Sequence, residues 1–275
     1  MANPHRHRRI AAKKPTCAYC QNRANSDEES CPKWVNKEYH RLDLDTFSVH
    51  IADHTGAWIR RLENTASHTK YKVVCKTCNN EWMSGLERRV SKFLKPALSS
   101  LSPWQLNAAE DIVSLVRWAV NRTIIVDYAT NPMGSFFLLD ERHEFRRSLT
   151  VPNGFHLWVT ASKFRVNQSR SAVTPDIIND DGRPFRYLLT LYQVGHFLFE
   201  SICIKWTDAK QLDPPPPILQ PDDWVRQVES IWPSYKFPFS WPPGDPLDVF
   251  RFKQFLNRRH AGGVAIPGDP LNYLQ

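Results

Sequence analysis

The sequence predicts an α+β protein with two lobes, the first built around two cysteine pairs and the second around an antiparallel sheet. Three observations support this prediction. Two Cys-x-x-Cys pairs flank residues 21–74, a helical period follows the second pair, and alternating apolar segments dominate the C-terminal half. We therefore divide the chain into a disordered basic arm (1–15), a metal-binding domain (16–101) and a C-terminal α+β domain (102–275).

Four cysteines have the spacing of a closed metal site. Cys17 and Cys20 form the first pair, and Cys75 and Cys78 form the second. The two-residue gap lets both thiolates of one tight turn face the same ion, and two such pairs complete the four-thiolate set of a structural Zn²⁺ site. Two disulfides or four unrelated buried thiols are the competing interpretations, and disulfides are less favoured because no apolar export signal is present. We expect a cytoplasmic protein.

The formal charge is uneven along the chain. Residues 1–101 hold 18 Lys and Arg against 10 Asp and Glu, so the whole excess of +8 lies in this part. A positive lobe beside a neutral one favours a polyanionic partner, and we predict nucleic acid, DNA in the first place. Arg6, Arg8 and Arg9 of the basic arm are candidate phosphate contacts. A purely solvated basic surface is the alternative. No apolar run approaches the ~18 residues of a membrane span.

The elements of the first lobe follow from periodicity. Residues 21–30 are polar and predict a loop, whereas residues 47–51 and 71–74 alternate and predict strands. From Asn80 a helix is predicted, with Pro96 expected to kink or end it. Its apolar stripe comprises Trp82, Leu86, Val90, Phe93, Leu94, Ala97 and Leu98. A second face has the three basic residues Arg88, Lys92 and Lys95, which are either phosphate contacts or a solvated surface.

The second lobe begins with another amphipathic helix, whose start is placed by a capping box at residues 102–105 or at 107–110. Its apolar stripe comprises Ile112, Val113, Val116, Ala119, Val120, Thr123 and Ile124. Strands are then predicted at 136–139, 154–161, 187–194 and 196–205, the last two joined by a turn at Gly195. A polyproline connector (213–217) leads to a tail rich in Pro and Trp, which we expect to wrap the sheet. This lobe is also the candidate surface for a protein partner or for self-association.

The first hundred residues resemble the HNH endonuclease-like family of bacteria and phages, in its Cys-x-x-Cys…Cys-x-x-Cys-Asn-Asn subgroup. The matching pieces are the first cysteine pair, Glu28 with Pro32 and Trp34, and residues 75–87. Looser likeness extends to residues 117–120, 231–233 and 241–243. The resemblance implies a zinc-clasped ββα-metal finger, in which a β-hairpin precedes a helix, and a nuclease that uses Mg²⁺ or Mn²⁺ to hydrolyse phosphodiesters.

By the same resemblance, Glu28 corresponds to the acidic metal ligand and Asn79 to the ligand from the helix. Glu29 stands where the family has its general-base His. A carboxyl group titrates near about 4.3 and an imidazole near about 6.5, so Glu29 is the weaker base. Three histidines of the insert are alternatives, namely His40, His50 and His54. Three functions are therefore open: a metal-dependent endonuclease, a degenerate finger that acts as a nucleic-acid-binding or protein-assembly module, or a purely structural zinc protein whose aromatic-rich C-terminal lobe binds a protein partner.

Asn79 and Asn80 also have a structural interpretation, because Asn is a favoured N-cap and both lie where the helix is predicted to begin. Cys31 and Cys203 fall outside the four-cysteine set, and Cys203 is predicted to be a small buried apolar residue.

Overall fold

The computed structural model describes residues 15–29, 32–42, 46–52, 58–65, 70–130, 134–173, 177–178, 184–206, 229–233 and 237–248. Its helices are α1 (Lys33–Leu42), α2 (Lys76–Cys78), a π-helical segment (Asn79–Met83), α3 (Ser84–Ser99), α4 (Ala109–Thr130) and α5 (Leu139–Ser148). Its strands are β1 (Ser26–Glu29), β2 (Thr46–Ala52), β3 (Trp58–Thr65), β4 (Lys70–Val74), β5 (Trp104–Leu106), β6 (Phe155–Val173), β7 (Ile177–Ile178), β8 (Pro184–Trp206), β9 (Glu229–Trp232) and β10 (Phe239–Trp241). The predicted arm at residues 1–14 and the polyproline connector lie outside the described residues.

The described strands form three sheets. The largest has the order β3-β2-β6-β8-β7, with β9 beside β6, while β1 pairs with β4 and β5 pairs with β10. All of these pairs are antiparallel except β2 with β6. The predicted α+β class with an antiparallel sheet is confirmed.

The tail joins this framework, as expected, through its two described pieces. β9 extends the sheet beside β6, and β10 places Trp241 against Trp104 and Phe197, with ring centroids 6.0 and 5.6 Å apart.

A turn at Gly195 was predicted, and this prediction is wrong, because β8 continues through that residue. Gly195 has φ +60°, and a Cβ on it would lie 2.2 Å from the carbonyl oxygen of Leu98 at the end of α3. The register of β6 against β8 also shifts between Ala161 and Val166, opposite this point. Gly195 therefore lies opposite a bulge in β6, and its lack of a side chain lets the helix backbone contact the sheet.

The helix predicted from Asn80 begins earlier, at Lys76, and passes through Pro96 to end at Ser99. Pro96 is exposed and lies in the last turn, so its missing N–H costs a single helical hydrogen bond, the one to the carbonyl of Lys92. The predicted apolar stripe is buried or partly buried, and the predicted basic face is exposed. The helix was predicted well because its period repeats over four turns.

Two short segments were predicted incorrectly. Residues 26–29 form β1 rather than part of a loop, and residues 136–138 form a turn, with Leu139 beginning α5, rather than a strand. The Asp127 carboxylate causes that turn, because it accepts the backbone N–H groups of Phe136 and Phe137 at 3.0 and 3.1 Å. α5, which follows, was not predicted, because Phe145 is its only fully buried apolar residue.

The centre of the core is α4, which is buried on more than the predicted stripe. Trp118 on its opposite side is fully buried and packs edge-on against Tyr192 and Phe199 of β8. Arg122 is also buried and forms an ion pair with Glu87 of α3 at 3.2 Å. One continuous apolar core thus contains residues from both sides of the predicted boundary at 101/102.

Candidate metal centre

The first knuckle (residues 17–20) is attached by backbone hydrogen bonds to β4, the strand that precedes the second knuckle (residues 75–78). Ala18 N donates to Val73 O at 2.8 Å, and Cys17 N donates to Asn22 O at 2.7 Å to close the turn. Gln21, with φ +57°, ends it in the left-handed region. These bonds bring two Cys-x-x-Cys turns together although 54 residues separate them in the sequence.

The four sulfur atoms lie close together, as predicted. All four Sγ atoms are within 4.8 Å of one another, and all four cysteines are free thiols. Cys20 Sγ lies 3.5 Å from Cys75 Sγ and 3.8 Å from Cys78 Sγ. A tetrahedral zinc with Zn–S bonds of about 2.3 Å requires sulfur separations of about 3.8 Å. We call this group the cysteine cluster, and its donors fit a structural metal such as zinc.

Hydrogen bonds among the thiols distribute their protons unevenly. The Cys78 thiol donates to Cys17 and lowers the pKa of Cys17 to about 5, and the same interaction raises the pKa of Cys78. Burial raises the pKa of Cys20. Because a metal binds cysteine as thiolate, a bound divalent cation would displace these protons.

Cys75 caps the helix, which corrects the sequence interpretation of Asn79 and Asn80 as N-caps. The Cys75 side chain accepts the backbone N–H of Cys78 at 3.4 Å, and the helix begins at the next residue, Lys76. Asn79 is therefore already one turn inside the helical segment.

Residues distant in the sequence support the first knuckle, and no sequence pattern indicated them. Arg142 Nε donates to Ala18 O at 2.8 Å and its Nη1 donates to Phe137 O at 2.7 Å. Tyr19, between the two cysteines, is fully buried and donates its hydroxyl to Asn121 Oδ1 at 2.7 Å. Trp82 packs edge-on against Tyr19 with ring centroids 5.0 Å apart. The knuckle is thus fixed against both α4 and α5.

Asn79 faces β1. Its Nδ2 donates to Ser26 Oγ at 2.6 Å, and this contact joins the helix to the strand that contains Glu28 and Glu29. Along the backbone, Glu28 is opposite Tyr71 and Glu29 is opposite Lys70. The side chains of the two glutamates lie outside the described residues, so their predicted roles stay predictions.

The predicted basic face of α3 is present. Arg88, Lys92 and Lys95 are exposed, and none of them forms an ion pair within the described part of the chain. The neighbouring Arg89 differs, because it pairs with Glu110 at 2.8 Å. The other predicted nucleic-acid contacts, Arg6, Arg8 and Arg9, lie outside the described residues.

A cleft of about 760 Å³ opens beside the cluster, between the π-helical segment and α5. Trp82, which touches the first knuckle, and His143 line it, and their ring atoms Nε1 and Nε2 have no hydrogen-bond partner among the residues that the structure describes. The remaining lining is polar and consists of Glu81, Asp140, Glu144, Arg146 and Arg147.

Comparison with protein-family models, with curated proteins and with solved structures finds no match to this chain. The resemblance to HNH endonucleases therefore depends on the motifs alone. Among the described helices, none combines the length and the apolar character needed to cross a bilayer.

Proposed function

We propose that the protein is a zinc-stabilised nucleic-acid-binding protein that uses the exposed face of α3 as its phosphate-binding surface. The supporting observation is a set of three cations, Arg88, Lys92 and Lys95, which have no carboxylate partner in the described ranges and lie on a helix that begins at the cysteine cluster. Lys and Arg side chains without carboxylate partners gain the most from phosphate, since no existing ion pair has to be broken.

The cluster matters for this role because it fixes the direction of the helix. The buried face of α3 packs on the core through Leu86, Val90 and Leu94, so its basic face points away from the protein. The three cations span about 10 Å along the helix axis, at ~1.5 Å per residue, which allows contacts to more than one phosphate. The positive charge of residues 1–101 adds long-range attraction for a polyanion.

The binding test is a titration of fluorescent duplex DNA, single-stranded DNA and RNA with the zinc-loaded full chain at several salt concentrations. We expect the triple variant R88Q/K92Q/K95Q to lower the slope of log K against log salt by about 3 if all three residues contact phosphates. The matched control is R146Q/K163Q/R165Q, which removes three exposed cations from elsewhere. Equal losses in both variants, or no binding by the unmodified chain, would reject the proposal and leave the protein-assembly role.

Phosphodiester cleavage is a second candidate function, favoured by the contact between Asn79 and β1. β1 and β4 pair antiparallel and a helix follows β4 directly, which resembles a ββα-metal finger with α1, β2 and β3 inserted between its two strands. Asn79 lies where that helix meets β1. Because its Nδ2 is used by Ser26, its Oδ1 is the atom left to serve as a ligand, together with the carboxylate of Glu28. Mg²⁺ or Mn²⁺ held there would stabilise the leaving oxygen, and Glu29 would accept the proton of water.

A plasmid-nicking assay with Mg²⁺ or Mn²⁺ tests cleavage separately from binding. We expect Glu28→Gln to abolish nicking while DNA affinity is retained, and Glu144→Gln, on the exposed part of α5, to keep full activity. Binding without nicking in either metal would assign the protein to the degenerate, binding-only class.

A further inference from the structure

The cysteine cluster brings thiols of its two knuckles into contact. One sulfur–sulfur contact, 3.5 Å, connects Cys20 of the first knuckle to Cys75 of the second. The other two thiols, Cys17 and Cys78, also interact with each other across the knuckles. Both of these contacts join turns that are far apart in sequence.

One thiol of the four is more accessible than the rest. Cys17, Cys75 and Cys78 are 1%, 4% and 1% exposed, whereas Cys20 is only partly buried. A small oxidant in solution therefore reaches Cys20 first, and the Cys75 sulfur of the other knuckle lies 3.5 Å from it.

We propose that the cysteine cluster is a peroxide-modification site, in which oxidation replaces the metal by disulfides between the knuckles, beginning with Cys20–Cys75. In the first step Cys20 thiolate attacks hydrogen peroxide, the O–O bond breaks, and a sulfenic acid forms with release of hydroxide, which takes up a proton to become water. The Cys75 thiol then attacks the sulfenic sulfur, and the second oxygen leaves as water. Two thiols lose two electrons in total and one peroxide is reduced.

The loss of two thiolate ligands releases the ion, and a second equivalent of peroxide joins Cys17 to Cys78. The link between the knuckles remains after this exchange, because each new disulfide connects the same two turns that the metal connected. The hydrogen bonds of Ala18 to Val73 and of Arg142 to Ala18 involve no sulfur and persist. The oxidised protein accordingly keeps its fold, whereas removal of metal from the reduced protein leaves the two turns without a covalent or metal link. This inference is independent of the proposed nucleic-acid binding.

The experiment treats zinc-loaded full-length protein, carrying Cys31→Ser and Cys203→Ala, with increasing hydrogen peroxide, and the unsubstituted chain is treated in parallel. Zinc release is followed with a chromogenic chelator, and free thiols are then alkylated. Under denaturing conditions trypsin cleaves after Lys76 and chymotrypsin cleaves after Tyr19, so the four cysteines fall on four separate peptides.

We expect zinc to be released as thiols are lost, the Cys20–Cys75 peptide pair to appear first, and the circular dichroism of the helices to persist. Chelator treatment of the reduced protein should lower the unfolding midpoint more than peroxide does. Disulfides within the knuckles (Cys17–Cys20 and Cys75–Cys78), zinc retained at excess peroxide, or helix loss on oxidation would each overturn the proposal.

Discussion

Arg142 supports the backbone of Ala18 from a helix that lies 124 residues further along the chain, with Nε donating to the carbonyl oxygen at 2.8 Å. Its guanidinium is buried, donates also to Phe137 O, and lies 4.5 Å above the centre of the Tyr128 ring. A single side chain thus connects the first knuckle, α4 and the turn before α5. The position of the candidate metal ligands depends on residues outside the cysteine motifs.

Replacing this side chain is expected to destabilise the protein strongly. Arg142→Met leaves two buried carbonyl oxygens without their charged donor, so we expect a loss of about 3 kcal/mol in the free energy of unfolding. Urea denaturation of the zinc-loaded protein measures this loss in the free energy of unfolding. Arg146→Met, an exposed position on the same helix, serves as control and should change stability by less than about 0.5 kcal/mol. Similar effects at the two positions would contradict the role assigned to Arg142.

Metal content provides the direct test of the cysteine cluster. We expect the purified protein to contain one zinc per chain, since four thiolates close the coordination sphere. Cys75→Ser should remove the zinc while its hydroxyl keeps accepting the Cys78 N–H, so the expected loss of cooperative unfolding reports the metal and not the helix cap. Cys203→Ala, at a buried cysteine outside the cluster, should leave the zinc content unchanged. Mass spectrometry measures the zinc content of each variant. A wild-type protein that contains no zinc and still unfolds cooperatively would refute the site.

Gly195 and Gly85 offer a matched pair of glycine substitutions with opposite expected signs. Gly195→Ala would place a Cβ 2.2 Å from Leu98 O at a φ of +60°, so we expect a loss of more than about 2 kcal/mol. Gly85→Ala lies in α3, where no described atom comes within 4 Å of the new Cβ, and it should stabilise by up to about 1 kcal/mol. Thermal or urea unfolding measures both, and a tolerated Ala at 195 would mean that α3 does not contact the sheet there.

His196 is expected to make stability depend on pH. Burial lowers the pKa of His196 below 6.5 and outweighs the hydrogen bond of its Nδ1 with Ser162 O at 2.7 Å, which acts in the opposite direction, so the folded state favours the neutral ring. The unfolded chain therefore binds the proton more readily, and stability is lost as the pH falls below 6.5. We expect the stability of the wild type minus that of His196→Gln to decrease as the pH is lowered from about 7.5 to about 5. Zinc loss at low pH affects both proteins equally and so cancels in this difference. A difference that stays constant with pH would contradict the expectation.

The sequence was sufficient to predict elements and site residues where the signal is local or periodic. The Cys-x-x-Cys spacing identified the four candidate ligands, and the repeating stripe from Trp82 to Leu98 identified the helix. It was insufficient where a tertiary contact decides the local structure. The turn at Phe136 depends on the Asp127 carboxylate, and the need for glycine at position 195 depends on the Leu98 carbonyl. The support of Ala18 by Arg142 has no local pattern, because its two partners come from opposite halves of the chain.

The burial of α4 on more than one side limits how the chain can be divided for expression. A fragment that begins at residue 102 would retain α4 but lose its neighbours α3 and β4, which would expose part of its buried surface to water and leave Arg122 without Glu87. We expect such fragments to aggregate and the complete polypeptide to be required for a soluble product.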